Sequence, residues 1–142
     1  MNPSLLSQLI ELTTKAGEII MNFHKHSSDY SIKDDNTPLT AADKASHEFL
    51  VNTLKKLTPN TPILSEESSH IPFSVRKSWN EYWLIDPLDG TRDFIDGSPD
   101  FCISIALIKK NYPTFGLIYS PFNKVHYYRL ARESSIKVIN RE

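Results

Sequence analysis

Acidic residues follow two apolar segments of this chain. Glu66 follows the segment 63–65, and Asp86 and Asp89 follow the segment 83–85. Short apolar runs of this kind are typical of strands, so we expect the acids to face a shared edge of one sheet. Mg²⁺ prefers oxygen ligands, commonly one or two carboxylates with waters and phosphate oxygens. The pattern therefore favours a site for a hard divalent cation.

The residues beside the two aspartates add further oxygen atoms. The carbonyl of Leu88 is free to serve as a neutral ligand between Asp86 and Asp89. Gly90 allows the backbone to approach a ligand closely, and Thr91 brings a hydroxyl next to the cation. Waters and the oxygens of a phosphate substrate commonly complete a Mg²⁺ site of this kind.

Ordinary structural explanations compete with this interpretation. Asp-Pro and Asp-Gly are common turn dipeptides, so residues 86–90 alone are equally compatible with a surface turn. Glu66 and Glu67 alone favour a solvated loop, because charged residues are mostly exposed. Asp43 follows Thr40 at the spacing of a capping box and is most simply a helix cap. The residues by themselves leave these alternatives open.

Composition bounds the class of protein. The chain has 142 residues, a length typical of one domain, and its 16 Lys and Arg nearly balance 17 Asp and Glu. The sequence has no stripe of basic residues, which would indicate a polyanion partner such as a nucleic acid. Cys102 is the single cysteine, no secretory leader opens the sequence, and no apolar run is long enough for a membrane span. We expect a cytoplasmic protein, with any membrane contact peripheral.

Two helices and one sheet are expected to position the acids. Apolar residues at three- and four-residue steps predict a first helix from Leu5 to Phe23 and a second from Thr40 to Pro59. Between them, Ser27 to Pro38 predicts a loop or an irregular hairpin. Five segments rich in β-branched and aromatic residues predict strands: Thr61–Ser65, Tyr82–Asp86, Phe101–Ile108, Phe115–Tyr119 and Val125–Leu130. One α+β unit is the simplest interpretation.

The segment 101–108 predicts two different sheet faces. Phe101, Ile103, Ile105 and Leu107 form a strongly apolar face. The alternate positions are smaller, and we expect the helices to rest on them: Cys102, Ser104, Ala106 and Ile108.

Three motifs resemble the inositol monophosphatase superfamily in order and spacing. They are Leu-Thr-Ala-Ala-Asp at 39–43, Leu-Ser-Glu-Glu at 64–67 and Trp-Leu-Ile-Asp-Pro-Leu-Asp-Gly-Thr-Arg-Asp-Phe at 83–94. Asp35 before Asn36, and Arg92-Asp93-Phe94, are more similar to the 3′(2′),5′-bisphosphate nucleotidase branch than to the inositol branch. The resemblance extends from the first helix to about Tyr128.

The resemblance implies a fold and a set of site residues. The fold would be a sugar-phosphatase-like layered α/β fold, with 1–142 as its first lobe: two helices packed on a mostly antiparallel sheet. Two or more Mg²⁺ ions would be held by Glu66, Asp86, Asp89 and the Leu88 carbonyl. Glu66, Leu88, Asp89, Gly90 and Thr91 would contact the substrate. Asp43 and Thr91 would position the water that attacks the phosphorus in line.

The resemblance also implies an activity. The substrate would be a small phosphate ester, adenosine 3′,5′-bisphosphate losing its 3′-phosphate, with an inositol phosphate as the alternative. Li⁺ would compete with Mg²⁺. Family members continue into a second lobe, where a Trp-Asp motif supplies a further metal ligand, and this chain has no such motif. We therefore expect impaired activity, self-association or a complementing C-terminal lobe, with an inactive remnant as the other hypothesis.

The remaining reactive or aromatic residues have simpler expected roles. We expect the five histidines to be surface residues: His24, His26, His47, His70 and His126. Cys102 is expected to be an inert core thiol, and the rings of Trp79, Tyr82 and Trp83 to pack in the protein. Loop positions without a firm metal role are expected for Asp93, Asp96 and Asp100.

Overall fold

The structure, a computed structural model, describes residues 1–24, 30–33, 38–131 and 133–139. Its elements in chain order are α1 (Pro3–His24), β1 (Tyr30–Ile32), β2 (Pro38–Thr40), α2 (Ala41–Leu57), β3 (Ile63–Ser65), α3 (Phe73–Arg76), β4 (Glu81–Asp89), α4 (Thr91–Ile95), β5 (Cys102–Lys109), β6 (Tyr112–Ser120), β7 (Val125–Leu130) and β8 (Ile136–Ile139).

The two long helices form where the apolar periodicity predicts them. The Asn2 side chain accepts a hydrogen bond from the Leu5 amide at 2.7 Å, which satisfies a free amide at the start of α1. A capping box formed by Thr40 and Asp43 starts α2. The predicted second helix is therefore confirmed together with its cap.

Six strands form one sheet in the order β3-β4-β5-β6-β7-β8. Neighbouring strands are antiparallel except for β3 and β4, which run parallel. The prediction of an α+β unit with two helices on a mostly antiparallel sheet is confirmed. The sequence did not indicate β8, an edge strand whose exposed side chains give only a weak apolar pattern.

The helices cover the apolar face of the sheet. Ile103, Ile105 and Leu117 are buried with the apolar stripes of α1 and α2 in one core. Our expectation that the helices rest on the smaller residues of β5 is wrong. The large side chains remove more apolar surface from water when they meet the apolar helix stripes, so that face is the favoured partner.

The opposite face of the sheet is open among the described residues. Leu84 is 41% exposed, Ile118 47% and Tyr127 44%. The small residues Ala106 and Gly116 lie in a groove of about 650 Å³ on this face. Monomeric proteins rarely leave a large apolar patch uncovered, so this face is a candidate for contact with further polypeptide.

The segment before α2 is a hairpin in its described part. Residues of β1 pair antiparallel with β2, with Tyr30 opposite Thr40 and Ile32 opposite Pro38. The predicted irregular hairpin is confirmed to this extent, and the motif residues Asp35 and Asn36 lie outside the described residues, as does His26. The short helices α3 and α4 were not predicted, since four or five residues carry little periodicity.

None of the helices in the described ranges has the length and apolar character required to span a bilayer.

Candidate active site

Glu66 and Asp86 are brought together by the parallel pairing of β3 with β4. Ser65 pairs with Ile85, and the Glu66 amide continues the ladder by donating to the Ile85 carbonyl at 3.1 Å. The next residue along each segment is an acid, so the two carboxyl groups lie side by side, close enough for Glu66 to raise the pKa of Asp86. The convergence expected from the two apolar segments is present for this pair.

Asp86 lies inside β4 and does not end it. The strand continues to Asp89, with an irregularity in its pairing to β5 between these two aspartates. The Asp86 side chain accepts from the Leu88 amide at 3.1 Å. Our expectation that the strand ends at Asp86 and continues into a turn is therefore wrong, because β5 continues to pair with β4 beyond the proline.

The environment of Asp86 disfavours a negative charge. Partial burial, the charge and hydrogen bond of Glu66, and the charge of Asp89 raise the pKa of Asp86 from 3.8 to about 7. Three acids close enough to affect one another are the arrangement that a bound cation stabilises.

Asp89 and Cys102 face each other across the β4–β5 pair. Asp89 is exposed, and the Cys102 thiol lies 3.9 Å from its Oδ2 atom. Burial and the charges of Asp89 and Asp86 raise the pKa of the Cys102 thiol. The expected core position of Cys102 is wrong, since it starts β5 beside the acids and is only half-buried.

Asp43 and Thr91 are joined by a hydrogen bond. The Thr91 hydroxyl lies 3.1 Å from Asp43 Oδ1, and at the same distance from the Leu88 carbonyl oxygen. The other carboxylate oxygen of Asp43 accepts from the Thr40 amide at 2.9 Å and from the Thr40 hydroxyl. The fully buried Asp43 therefore caps α2 and contacts Thr91 at once.

Gly90 is required by the backbone at this point. Its φ angle is +85°, and a Cβ atom there would lie 2.7 Å from the backbone oxygen of Asp100. A side chain would therefore be strained by conformation and by contact. This glycine lets the chain turn from β4 into α4 directly after Asp89.

Lys33 reaches the acidic turn from the end of β1. Its ammonium lies 3.2 Å from Glu66 Oε1 and 2.5 Å from Glu67 Oε1. The Glu67 side chain is only 8% exposed, and burial raises its pKa despite this ion pair. The solvated-loop alternative is therefore wrong for Glu67, whose side chain is largely buried and paired with the Lys33 ammonium.

One turn of α2 makes two contacts that the motifs of the sequence do not predict. The Ser46 hydroxyl donates to the Pro87 carbonyl at 2.8 Å, and His47 Nδ1 lies 2.8 Å from Ser65 Oγ. The signal available in the sequence was the polar spacing of 43, 46 and 47, which share one helix face.

The histidine expectation fails at three positions. His126 is fully buried, with Nε2 3.0 Å from the Thr13 hydroxyl, and His47 and His24 are half-buried. His70 is exposed as expected. The ring of His24 packs 5.3 Å from that of Phe94, so these histidines fill apolar surroundings that only tertiary packing creates.

The expected packing of the remaining aromatic rings is confirmed, whereas the loop position expected for the remaining acids is right for Asp100 and wrong for Asp93, which lies in α4. Trp83 is buried, and Trp79 packs 5.7 Å from Tyr82. The exposed acids near α4 are Asp93, Asp96 and Asp100, of which Asp93 and Asp96 belong to the helix and its cap and Asp100 to the following loop.

The donor atoms fit a hard cation in type. Glu66, Asp86 and Asp89 provide carboxylate oxygens, and the Leu88 carbonyl lies on the same segment beside Thr91. Within the part of the chain that the structure describes, no three Asp, Glu, His or Cys side chains are grouped closely enough to hold one ion. The acids meet as neighbouring pairs, so a carbonyl or water must complete any cation's ligands.

The fold and the acidic site define a class of protein. The inositol monophosphatase family model matches residues 1–136, and the chain belongs to this family. Among solved structures, CysQ from Bacteroides thetaiotaomicron, a bacterial member of the family, aligns with a TM-score of 0.76 and 35% identity over 92% of this chain.

Similar curated proteins belong to one branch. The 3′(2′),5′-bisphosphate nucleotidase CysQ of Haemophilus influenzae is 40% identical over 137 residues, covering 96% of this chain and 51% of its own length. The protein with the same description from Aggregatibacter actinomycetemcomitans is 44% identical over 126 residues, covering 89% of this chain and 47% of its own length. The chain thus spans about half the length of these relatives.

Proposed function

We propose that this chain carries the front part of a Mg²⁺-dependent phosphomonoesterase site that removes the 3′-phosphate of adenosine 3′,5′-bisphosphate. The observation that carries the proposal is the Asp43–Thr91 hydrogen bond beside the acids Glu66, Asp86 and Asp89. A hydroxyl that is hydrogen-bonded to a buried carboxylate, next to the proposed cation site, can accept a proton from the water that attacks a phosphate.

Glu66, Asp86, Asp89 and the Leu88 carbonyl would hold two or more Mg²⁺ ions. When bound, the ions supply charge neutralisation of the phosphate and a lower pKa for the attacking water. The raised pKa of Asp86 supports this assignment, since a neighbouring cation would favour its ionised form.

The proton of the attacking water would pass towards Thr91. The Thr91 hydroxyl donates its own proton to Asp43 Oδ1, which leaves the Thr91 oxygen free to accept one from water. The capping bonds from Thr40 fix the Asp43 carboxylate, so Thr91 is held in one orientation. The backbone of Gly90 and Thr91 would contact the phosphate. Only a glycine fits at position 90, because a Cβ atom there would meet the backbone oxygen of Asp100.

The nucleotide substrate is supported by relatives that are about 40% identical over most of this chain. An inositol monophosphate is the second candidate: a solved structure described as inositol monophosphate bound SaIMPase-II is 25% identical, with a TM-score of 0.72 over 94% of this chain.

The test measures phosphate release from adenosine 3′,5′-bisphosphate and from inositol monophosphate, with and without Mg²⁺. We expect Mg²⁺-dependent release that is faster from the nucleotide and absent in Asp89→Asn. Faster release from the inositol ester would instead identify an inositol monophosphate as the substrate. Release no faster than that of Asp89→Asn, on both substrates, would identify this chain as inactive by itself.

We also propose that a segment matching the other half of the relatives completes the site. Its docking surface is the open sheet face with Leu84, Ile118 and Tyr127, whose groove reaches Glu66 and Asp86. Adding a separately produced C-terminal half of the Haemophilus relative should form a one-to-one complex and raise phosphate release. If this chain sediments as a dimer and does not bind the added half, the face would instead be assigned to self-association.

A further inference from the structure

One turn of α2 contacts each backbone segment that carries the proposed site. Asp43 accepts a hydrogen bond from Thr91, after β4. Three and four residues further along the helix, Ser46 contacts Pro87 and His47 contacts Ser65. Positions separated by three and four residues share one helix face, so a single rigid surface meets all three segments.

Ser46 holds the irregular part of β4. It is fully buried, and its hydroxyl donates to the Pro87 carbonyl at 2.8 Å. Pro87 lies between the paired residues Asp86 and Asp89, where the register with β5 shifts. A buried hydroxyl that bonds to this carbonyl fixes the local backbone, and so restricts the direction of the side chains of the neighbouring aspartates.

His47 holds the end of β3. Ser65 is buried, and its Oγ atom accepts from the Glu67 amide at 3.4 Å while lying 2.8 Å from His47 Nδ1. A serine hydroxyl has one proton to donate, and a neutral imidazole offers one acceptor nitrogen. Ser65 can therefore donate to His47 and accept from Glu67. Burial lowers the pKa of His47, which favours this neutral form.

The strand pairing alone holds this segment weakly. β3 has three residues and lies at the edge of the sheet, with β4 as its partner. A short edge strand is held by few ladder hydrogen bonds and depends on side-chain contacts for its position. The contact from α2 reaches β3 at Ser65, directly before Glu66.

We propose that Ser46 and His47 are positioning residues that hold Asp86 and Glu66 at the spacing the cation site needs. The effect on cation binding rests on the proposed function, whereas the hydrogen bonds of Ser46 and His47 are independent of it. Side chains that orient metal ligands commonly contribute a factor of roughly 10 to 100 to metal affinity.

The first test uses no metal. Hydrogen exchange of the Glu66 and Glu67 amides is measured by NMR in His47→Leu, with His47→Asn as the variant that keeps a hydrogen-bonding atom near the Nδ1 position. We expect roughly fivefold faster exchange in His47→Leu and near wild-type exchange in His47→Asn. His70→Leu, which changes an exposed histidine, is the matched control. Unchanged exchange in His47→Leu would overturn the inference.

The second test measures Mg²⁺ affinity by calorimetry. We expect roughly tenfold weaker binding in His47→Leu and in Ser46→Ala, with wild-type affinity in the exposed-serine control Ser7→Ala. Equal affinity in all variants would overturn the positioning role. If the wild-type chain binds no Mg²⁺ while His47→Leu still accelerates amide exchange, the proposed function fails and the contribution of His47 to the turn stands.

Discussion

The Thr91 hydroxyl lies 3.1 Å from Asp43 Oδ1, which links two residues 48 positions apart in the sequence. The opposite oxygen of the same carboxylate accepts the hydrogen bonds from Thr40 that begin α2. One side chain therefore performs two tasks, since a carboxylate has enough lone pairs to cap a helix and orient a hydroxyl together.

Removing the Thr91 hydroxyl should separate chemistry from folding. We expect Thr91→Val to slow Mg²⁺-dependent phosphate release by a factor of about 100 or more, because the group that receives the proton of water is lost. Thr91→Ser keeps the hydroxyl and should retain most of the rate. Thermal unfolding of both variants controls for stability, and equal rates in Thr91→Val and wild type would contradict the proposed role.

Gly90→Ala and Gly97→Ala form a matched pair. Both glycines have positive φ angles, +85° and +77°, but a Cβ atom meets the Asp100 backbone at Gly90 and nothing within 4 Å at Gly97. We expect Gly97→Ala to lower the free energy of unfolding by about 1 kcal/mol from backbone strain. Gly90→Ala should cost about 1–3 kcal/mol more, because a backbone contact must shift as well. Urea denaturation measures both, and equal losses would show that no such contact exists.

Asp86→Asn should stabilise the chain and remove its Mg²⁺ binding. The folded-state pKa of about 7 lies above the ordinary 3.8, so the folded chain binds more protons than the unfolded chain between these values. The free energy of unfolding attributable to this group therefore falls as pH rises from about 4 to 7. At pH 8 without Mg²⁺, we expect Asp86→Asn to be more stable by roughly 2 kcal/mol, since partial exposure reduces the full penalty.

Urea denaturation of Asp86→Asn and wild type at pH 5 and pH 8 measures this difference, and calorimetry with Mg²⁺ measures the loss of binding. A variant less stable than wild type at pH 8 would contradict the raised pKa. Binding of Mg²⁺ with wild-type affinity would remove Asp86 from the proposed ligands.

His126 should make the fold sensitive to acid. Burial lowers the pKa of His126 from 6.5 to about 4, and its Nδ1 atom has no partner within the described residues. The unfolded chain therefore binds more protons between these values, and the free energy of unfolding falls as pH drops from 6.5 to 4. We expect this group to remove about 3 kcal/mol over that interval.

The measurement compares wild type with His126→Phe, which preserves a ring against Tyr119. The difference in unfolding free energy between the two proteins should change by that amount from pH 7 to pH 4. Taking the difference cancels the opposite contribution of Asp86. His70→Phe at an exposed site should show no such change, and a constant difference for His126→Phe would contradict a buried neutral imidazole.

The sequence by itself determined the two long helices, the cap at Thr40 and the strand pattern, because each depends on the spacing of neighbouring side chains. Its motifs also predict that the acids at 66, 86 and 89 belong to one site, and the structure places Glu66 beside Asp86. The short helices and β8 were not predictable, since four or five residues add little local preference to what the tertiary contacts supply.

The tertiary structure alone decided which face of β5 the helices cover, that β4 continues through Pro87, and that Ser46 and His47 reach the segments carrying the acids. These outcomes depend on contacts between residues far apart in the chain. Periodicity records which side of a strand or helix is apolar, whereas burial and hydrogen-bond partners are fixed only when those elements pack against each other.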